Sequence, residues 1–355
     1  MDLATLDKNF AVTKVEGVEF LMFTPQELTL EGFPWEDINE KPYRRLPDEL
    51  EVSPEVARLL KHSSGGVIRF CTDSEAIMLK GRYIPFVPSP RTPPSGQSGF
   101  DVMMWENSKN VLVMNFQKSA ADACAEKFDF EYSCYLRDGM HEYRIYMPTY
   151  AGIEWLEIGL VKGSKVEKAP AHKTEKPILF YGSSVTQGAC ASRPSNGHAP
   201  LLAAIADAEL INLGFSGNAL GEPEWAEWIA KLDLSCFVMD YDHNAPNIEH
   251  LRKTHEPFFK IIREQHPDLP VIIISKPFGK IENYDLDIER RDMVKQTYLN
   301  ARAQGDKNVY FVDGMEFFKE VGYEYPTADR THPTDLGFYL MTKAIEPALR
   351  EALKL

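Results

Sequence analysis

The sequence predicts a two-part chain: a β-sandwich over residues 1–170, then an α/β domain with a mostly parallel sheet over 171–355. Three observations carry this reading. From about residue 16 to 165 the chain is a series of short runs, several alternating apolar with polar residues as half-buried strands do. After about residue 177, near-continuous apolar runs alternate with amphipathic stretches, the pattern of parallel strands covered by helices on both faces. Between the two halves, KVEKAPAHKTEKP (165–177) carries charge and proline without apolar period, as a linker does.

In chain order, the strands of the first half read VEFLMF, GVIRFCT, AIMLKG, FDVMMW, VLVMNF, FDFEYSCYL, HEYRIYMP and WLEIGLV. Many short strands with turn signals and one helical candidate, PEVARLL at 54–60, point to a sandwich. PFVPSPRTPPSGQSG (85–99) is too rich in Pro and Gly for a regular element and reads as a long edge loop. Its Phe86, Arg91 and Gln97 are of the kinds that stack on or hydrogen-bond to a sugar, although a loop packed on the neighbouring domain fits as well. In the second half the strands are ILFYG (178–182), LINLG (210–214), CFVMDY (236–241), VIIIS (271–275) and VYFVDG (309–314). Helices are expected near 196–207, 222–231, 248–266, 286–303 and 334–352. Thr334 stands where it can cap the last one, with Leu336, Leu340 and Ile345 recurring on one side. No internal repeat is visible.

Composition limits function. The chain is 44% hydrophobic with 20 Phe, 15 Tyr and 5 Trp, which suits packed cores and not disorder. A net charge of −14 argues against nucleic acid as a partner, because phosphate binding rests on cationic neutralisation. No run of about 18 apolar residues predicts a membrane span. MDLATLDKNFAVTK lacks the cationic start and apolar core of a signal peptide, so a cytoplasmic location is expected. The cysteines, Cys71, Cys124, Cys134, Cys190 and Cys236, are odd in number and widely spaced, unlike a disulfide framework. All but Cys190 sit in or beside apolar runs, as small buried side chains do.

Four segments carry chemistry, each at the carboxyl end of a predicted strand or entering the last helix, where open α/β sheets bind ligands. The first is GSSVTQG, residues 182–188, after ILFY. A serine at a strand-to-helix turn projects its hydroxyl and its backbone N–H toward one cavity, and a small neighbour permits the turn. The same turn equally serves as a simple helix cap, and its glycine spacing does not fit a dinucleotide fingerprint. The second, NLGFSGN (212–218), places two glycines and two side-chain amides after a strand. The third, DYDHNAP (240–246), is dense in polar groups that are costly to bury without partners. Asn244 can donate to a developing oxyanion, while Asp242 and His243 suit a metal, a base or a buried support network. The fourth is DRTHP, in which Asp329 stands three residues before His332. That carboxylate can accept a hydrogen bond from the Nδ1–H and hold Nε2 toward Ser184. The other histidines lie mostly in helices or linkers, as His250, His255 and His266 do.

Together the four segments resemble the SGNH, or GDSL-like, hydrolase superfamily. Gly182-Ser183-Ser184 is similar to its first block, with Ser183 where Asp is common. GSSVTQGACASRP, NLGFSGNA, MDYDHNAP and THPTDLGF resemble a bacterial subfamily of GDSL-like esterases in which a β-sandwich precedes the hydrolase. YRRLP, IRFCTDS and Gly99-Phe100-Asp101-Val102-Met103 resemble that companion domain, whose motif is Gly-x-Asp-Leu-Tyr, here with Val102 and Met103 in the last two places. The resemblance implies a three-layer α/β/α sandwich of SGNH type behind a jelly-roll-like β-sandwich. It implies Ser184 as nucleophile, His332 as base and Asp329 as orienting acid. It also implies an oxyanion hole made of the N–H groups of Ser184 and Gly217 and the amide of Asn244. Asp242 replaces the glycine usual two residues before that asparagine.

The expected activity is hydrolysis of short acyl esters, O-acetyl first, on a carbohydrate alcohol, with no cofactor and no metal. The partner is then a small acylated mono- or oligosaccharide; a homo-oligomer is compatible with the sequence. Arg193, with Asp242 and His243, is the candidate set for binding substrate, although a salt bridge fixing its loop suits Arg193 equally. The alternatives are a GDSL-like lipase or thioesterase acting on other acyl groups, and a carbohydrate-binding protein in which the second domain is only scaffold.

Overall fold

A computed structural model describes residues 15–117, 128–277 and 284–355. Its first half holds β1 Phe20–Phe23, β2 Thr29–Glu31, α1 Pro54–Leu59, β3 Val67–Thr72, β4 Ala76–Ile84, α2 Pro94–Gln97, β5 Phe100–Glu106, β6 Lys109–Phe116, β7 Asp129–Tyr135, β8 His141–Tyr146, β9 Gly152–Val161 and β10 Val166–Lys168. One antiparallel sheet runs β1-β9-β4-β7, and the other runs β10-β3-β8-β5-β6 with β2 beside β3. Ile68, Phe70, Ile77, Leu79, Phe100, Ile145 and Ile158 share one apolar core in this half. The alternation read from the sequence is what lets each strand give one face to that core.

The second half holds β11 Ile178–Gly182, α3 Ser184–Gln187, α4 His198–Ala206, β12 Leu210–Gly214, α5 Pro223–Ile229, β13 Cys236–Asp240, α6 Ile248–Gln265, β14 Val271–Ile274, α7 Tyr284–Ala303, β15 Val309–Val312 and α8 Asp335–Leu353. Its sheet is parallel throughout, in the order β12-β11-β13-β14-β15. Alternate residues of β11 face opposite layers. Leu179 and Tyr181 pack with Trp225, Phe258 and Val294 of α5, α6 and α7, whereas Ile178 and Phe180 pack with Leu202, Met341 and Ile345 of α4 and α8. A sheet buried on both faces needs such unbroken apolar strands, and this is the expected three-layer domain.

Local differences have local causes. The helix expected at 196–207 begins only at His198, because Gly197 is extended (ψ 156°) and a 3₁₀ turn, Pro194–Asn196, precedes it. Thr334 occupies the cap position of α8, but its hydroxyl donates to Tyr325 O and caps nothing. Leu336 is exposed; Phe338, Met341, Ile345 and Leu349 bury that helix instead. The loop at 85–99 is not wholly irregular, since proline at the first position starts the single turn α2. Its Phe86 packs on the sandwich core, and buried Gln97 spans the loop by donating to Thr92 O and accepting from Ser89 N–H, so both brace the fold. Cys134 and Cys236 are buried free thiols, Cys71 is half-buried, and Cys124 lies outside the described residues.

The two halves meet over a polar seam. Fully buried Arg45, in the YRRLP segment, donates to Gly214 O (2.6 Å), Asn212 O (3.3 Å), His62 O and Leu59 O, and lies over the Phe215 ring. Asp101, the acid of the Gly-x-Asp motif, accepts from both the N–H (3.0 Å) and hydroxyl (2.5 Å) of Ser195. A third knot joins Arg69 to Glu31 and Glu142, Arg144 to Glu142 and Asp207, and His172 to Glu31 and Asp207. Arg45 of YRRLP, Arg69 and Asp101, read from the sequence as part of that resemblance, are therefore residues that hold the second half.

Candidate active site

Ser184 begins α3 directly after β11. Ser183 caps that turn by accepting the Val185 N–H (3.1 Å), and Gly188, at φ 101°, closes it in the left-handed region. Gly182 is required by closeness: a Cβ there would lie 2.4 Å from Asp240 O and 2.1 Å from Thr186 Oγ1. As first helical residue, Ser184 keeps its N–H outside the helix ladder, free to face a ligand.

Ser184 Oγ lies 3.0 Å from His332 Nε2, and His332 Nδ1 lies 2.9 Å from Asp329 Oδ2. The loop carrying this pair is tightly folded. Asp329 Oδ1 accepts the N–H groups of His332 (2.8 Å) and Thr331 (3.1 Å), and Arg330 turns the chain at φ 64°. Burial raises the Asp329 carboxyl, but its hydrogen bonds from the His332 backbone and ring outweigh this and hold it below the ordinary aspartate value. It is therefore anionic at neutral pH. Chain order puts the serine first and the acid–histidine pair last, and the sheet brings them into hydrogen-bond reach.

These groups open into a cavity of about 410 Å³, whose wall includes Ser184, Gly217, His243, Asn244 and His332. Gly217 sits at φ 72° with open space where a Cβ would be. Asn244 donates through Nδ2 to Phe215 O (3.0 Å), which fixes its amide beside the same loop. The wall is completed by the first domain through Ser89, Arg91, Thr92 and Tyr150. Tyr150 meets Ser216 Oγ at 2.5 Å, and Gln187 donates to His62 Nδ1 (2.9 Å) and Thr149 O while accepting the Ser216 N–H. Burial, with Arg45 and Arg58 nearby, pushes His62 down to about 3, so its ring is neutral and able to accept. Sequence reading missed Tyr150, Thr92 and Gln187, since no local pattern marks a residue whose partner lies in the other domain.

The three candidate substrate contacts fall in different places. His243 lines the cavity. Asp242 lies wholly buried behind it, accepting the Lys276 N–H (3.1 Å), with its own carbonyl bonded by Arg290. Arg193 is not among the residues lining the cavity. Its guanidinium donates to Asn196 (2.9 Å) and sits 3.7 Å from Asp101, on the seam. Ligand atoms of Asp240, Asp242 and His243 come within 4.8 Å of one another, a spacing a cation can bridge. However, Lys276 and Arg290 already face Asp242, supplying the positive charge that a metal would bring. A larger cavity of about 640 Å³, with Glu256, Lys260, Arg263 and Asp306 on its rim, contains none of the four segments.

The model of the GDSL-like Lipase/Acylhydrolase family matches residues 175–350, and that of the N-terminus of SGNH-hydro-type esterases, GxDLY, matches residues 18–166. No curated protein matches the sequence. A GDSL-like lipase from Bacteroides ovatus, assigned as such without proof of activity, is 27% identical, with TM-score 0.83 over 95% of this chain and 98% of its own. The salicylyl-acyltransferase of a tetracycline biosynthetic pathway is 21% identical, with TM-score 0.77 over 94% and 97%. A family two carbohydrate esterase from Cellvibrio japonicus is 12% identical, with TM-score 0.61 over 95% and 98%. The last two likenesses are of fold.

Proposed function

We propose, for a chain that belongs to the SGNH/GDSL-like hydrolases and carries their GxDLY-type N-terminal domain, that it removes short acyl groups, acetyl first, from carbohydrate alcohols. The hydrolase class follows from the family; the bond and the substrate are our reading. The observation that carries it is the relay Ser184 Oγ–His332 Nε2–Asp329, at 3.0 and 2.9 Å.

In this reading His332 takes the Ser184 proton as Oγ attacks the ester carbonyl. The imidazolium so formed is stabilised by Asp329, and the tetrahedral oxyanion by the N–H groups of Ser184 and Gly217 with the Asn244 amide. Loss of one such donor costs about 3 kcal/mol in comparable sites. His332 then protonates the leaving alcohol, and water repeats the cycle on the acyl-enzyme. A cavity of about 410 Å³ walled by Ser89, Thr92, Tyr150 and Asn244 presents hydroxyls and an amide suited to a sugar alcohol. The carbohydrate esterase that shares the fold is consistent with this substrate class.

Ser184→Ala is expected to abolish release of acetate from acetylated oligosaccharides while folding is retained. A serine-directed organophosphonate should label Ser184. Labelling at Ser183, Ser192 or Ser216 would overturn the assignment. Faster turnover of long-chain aryl esters than of acetyl esters would move the substrate class to lipids.

A further inference from the structure

Arg91, on the first domain's loop ahead of α2, brings Nη1 to 2.9 Å from Asp329 Oδ2. The same oxygen lies 2.9 Å from His332 Nδ1. One carboxylate oxygen is thus shared between a guanidinium from one domain and an imidazole from the other. We propose that Arg91 is a positioning residue of the hydrolase site: it fixes the Asp329 carboxylate toward His332 and sets how far into acid the enzyme keeps working. This rests on the triad reading given above.

Two features make Arg91 more than a passing surface contact. Its loop is braced, because Ser89 N–H donates to Gln97 Oε1 (2.8 Å), Gln97 Nε2 donates to Thr92 O (3.0 Å), and Thr92 Oγ1 accepts the Cys190 N–H (3.1 Å). In addition, Asp329 Oδ1 takes two backbone N–H groups and lies 3.2 Å from His332 Nδ1, while Oδ2 is the oxygen that the ring approaches more closely and shares with Arg91. A positive charge on that oxygen opposes placing a second one on the ring.

The other groups around the pair do not duplicate this effect. Burial pushes the Cys190 thiol up, leaving it uncharged, and burial with Lys276 nearby pushes His243 far down, leaving it neutral. Arg330, on the same loop, turns to Glu324 at 3.6 Å, and Asp335 accepts from Ser192 and Asn196. Arg91 is 61% exposed against 15% for Asp329, so screening keeps the effect modest.

The test is kcat/KM against pH for the full chain on a small activated acetate ester, comparing wild type, Arg91→Gln and Arg91→Lys. The acid limb of Arg91→Gln should move up by about half a pH unit, with kcat reduced and KM little changed. Arg91→Lys should return the limb toward wild type. Salt near 1 M should shift the wild-type limb upward and leave that of Arg91→Gln in place. An acid limb at one pH in wild type and Arg91→Gln at both salt levels would overturn the proposal, as would a loss of rate without displacement. If His332→Ala keeps the wild-type profile, the triad reading falls and this proposal with it. An inactive His332→Ala together with an unmoved limb in Arg91→Gln would sink this proposal alone.

Discussion

At the scale of single residues, Asp329 and His332 differ in what their loss leaves behind. His332→Ala removes the only ring within 3.0 Å of Ser184 Oγ among the described residues, so the rate should fall as far as it does in Ser184→Ala. The double variant should be no worse, because members of one catalytic unit do not add. Asp329→Ala leaves the base but frees the N–H groups of Thr331 and His332 along with the ring. A smaller fall, about 10²- to 10⁴-fold, is expected in kcat. Additive losses on combining Ser184→Ala with His332→Ala would refute a shared unit. The Asp-x-x-His pair was legible because its contact is local: three residues and one turn at Arg330 close it. Arg91 was legible only as a loop residue of a kind that hydrogen-bonds a sugar, since its carboxylate partner lies in the other domain.

At the scale of elements, β5 shows why the Gly-x-Asp motif persists in form where its last two residues differ. Asp101 is buried, and burial raises its carboxyl although Ser195 and Asn115 donate to it. Asp101→Ala would strand the Ser195 N–H and hydroxyl at the seam, while the Asn115 amide keeps Ser95 O. The cost should be about 2–4 kcal/mol, read as a lowered urea midpoint. A change under about 0.5 kcal/mol would show that water replaces the carboxylate without loss. Val102 and Met103 fill the remaining motif positions as buried apolar residues, so the departure from Leu-Tyr alters packing and spares the docking. The five parallel strands were readable because both their faces are buried. Helix starts were less so: the helix expected from 196 is capped by extended Gly197 and starts at His198, and the Thr334 hydroxyl is taken by Tyr325 O of the preceding loop.

At the scale of the whole molecule, the charge knot between Glu31, Arg69, Arg144, His172 and Asp207 ties stability to pH. Burial alone raises Glu31, yet His172 and Arg69 outweigh it and hold it below 4.5. Burial likewise raises Asp207, while His172 and Arg144 bring it below 3.8. A carboxyl depressed in the folded state stabilises above its unfolded value, and that contribution is lost as pH falls through the folded one. Wild type should therefore lose stability between about pH 5 and 3, and Glu31→Gln should lose less over the same interval. Parallel Tm curves for the two proteins would show that the knot is pH-silent. No helix among the described residues is long and apolar enough to cross a membrane.

Arg45 also bears on the order of synthesis. The sandwich leaves the ribosome before the strand β12 whose carbonyls, Asn212 O and Gly214 O, complete the arginine's partners. Until then a guanidinium that ends wholly enclosed faces water on that side, although Leu59 O and His62 O can already hold it. Docking of the nascent hydrolase domain is thus the event that dehydrates Arg45, and burial then pulls its guanidinium down to about 9.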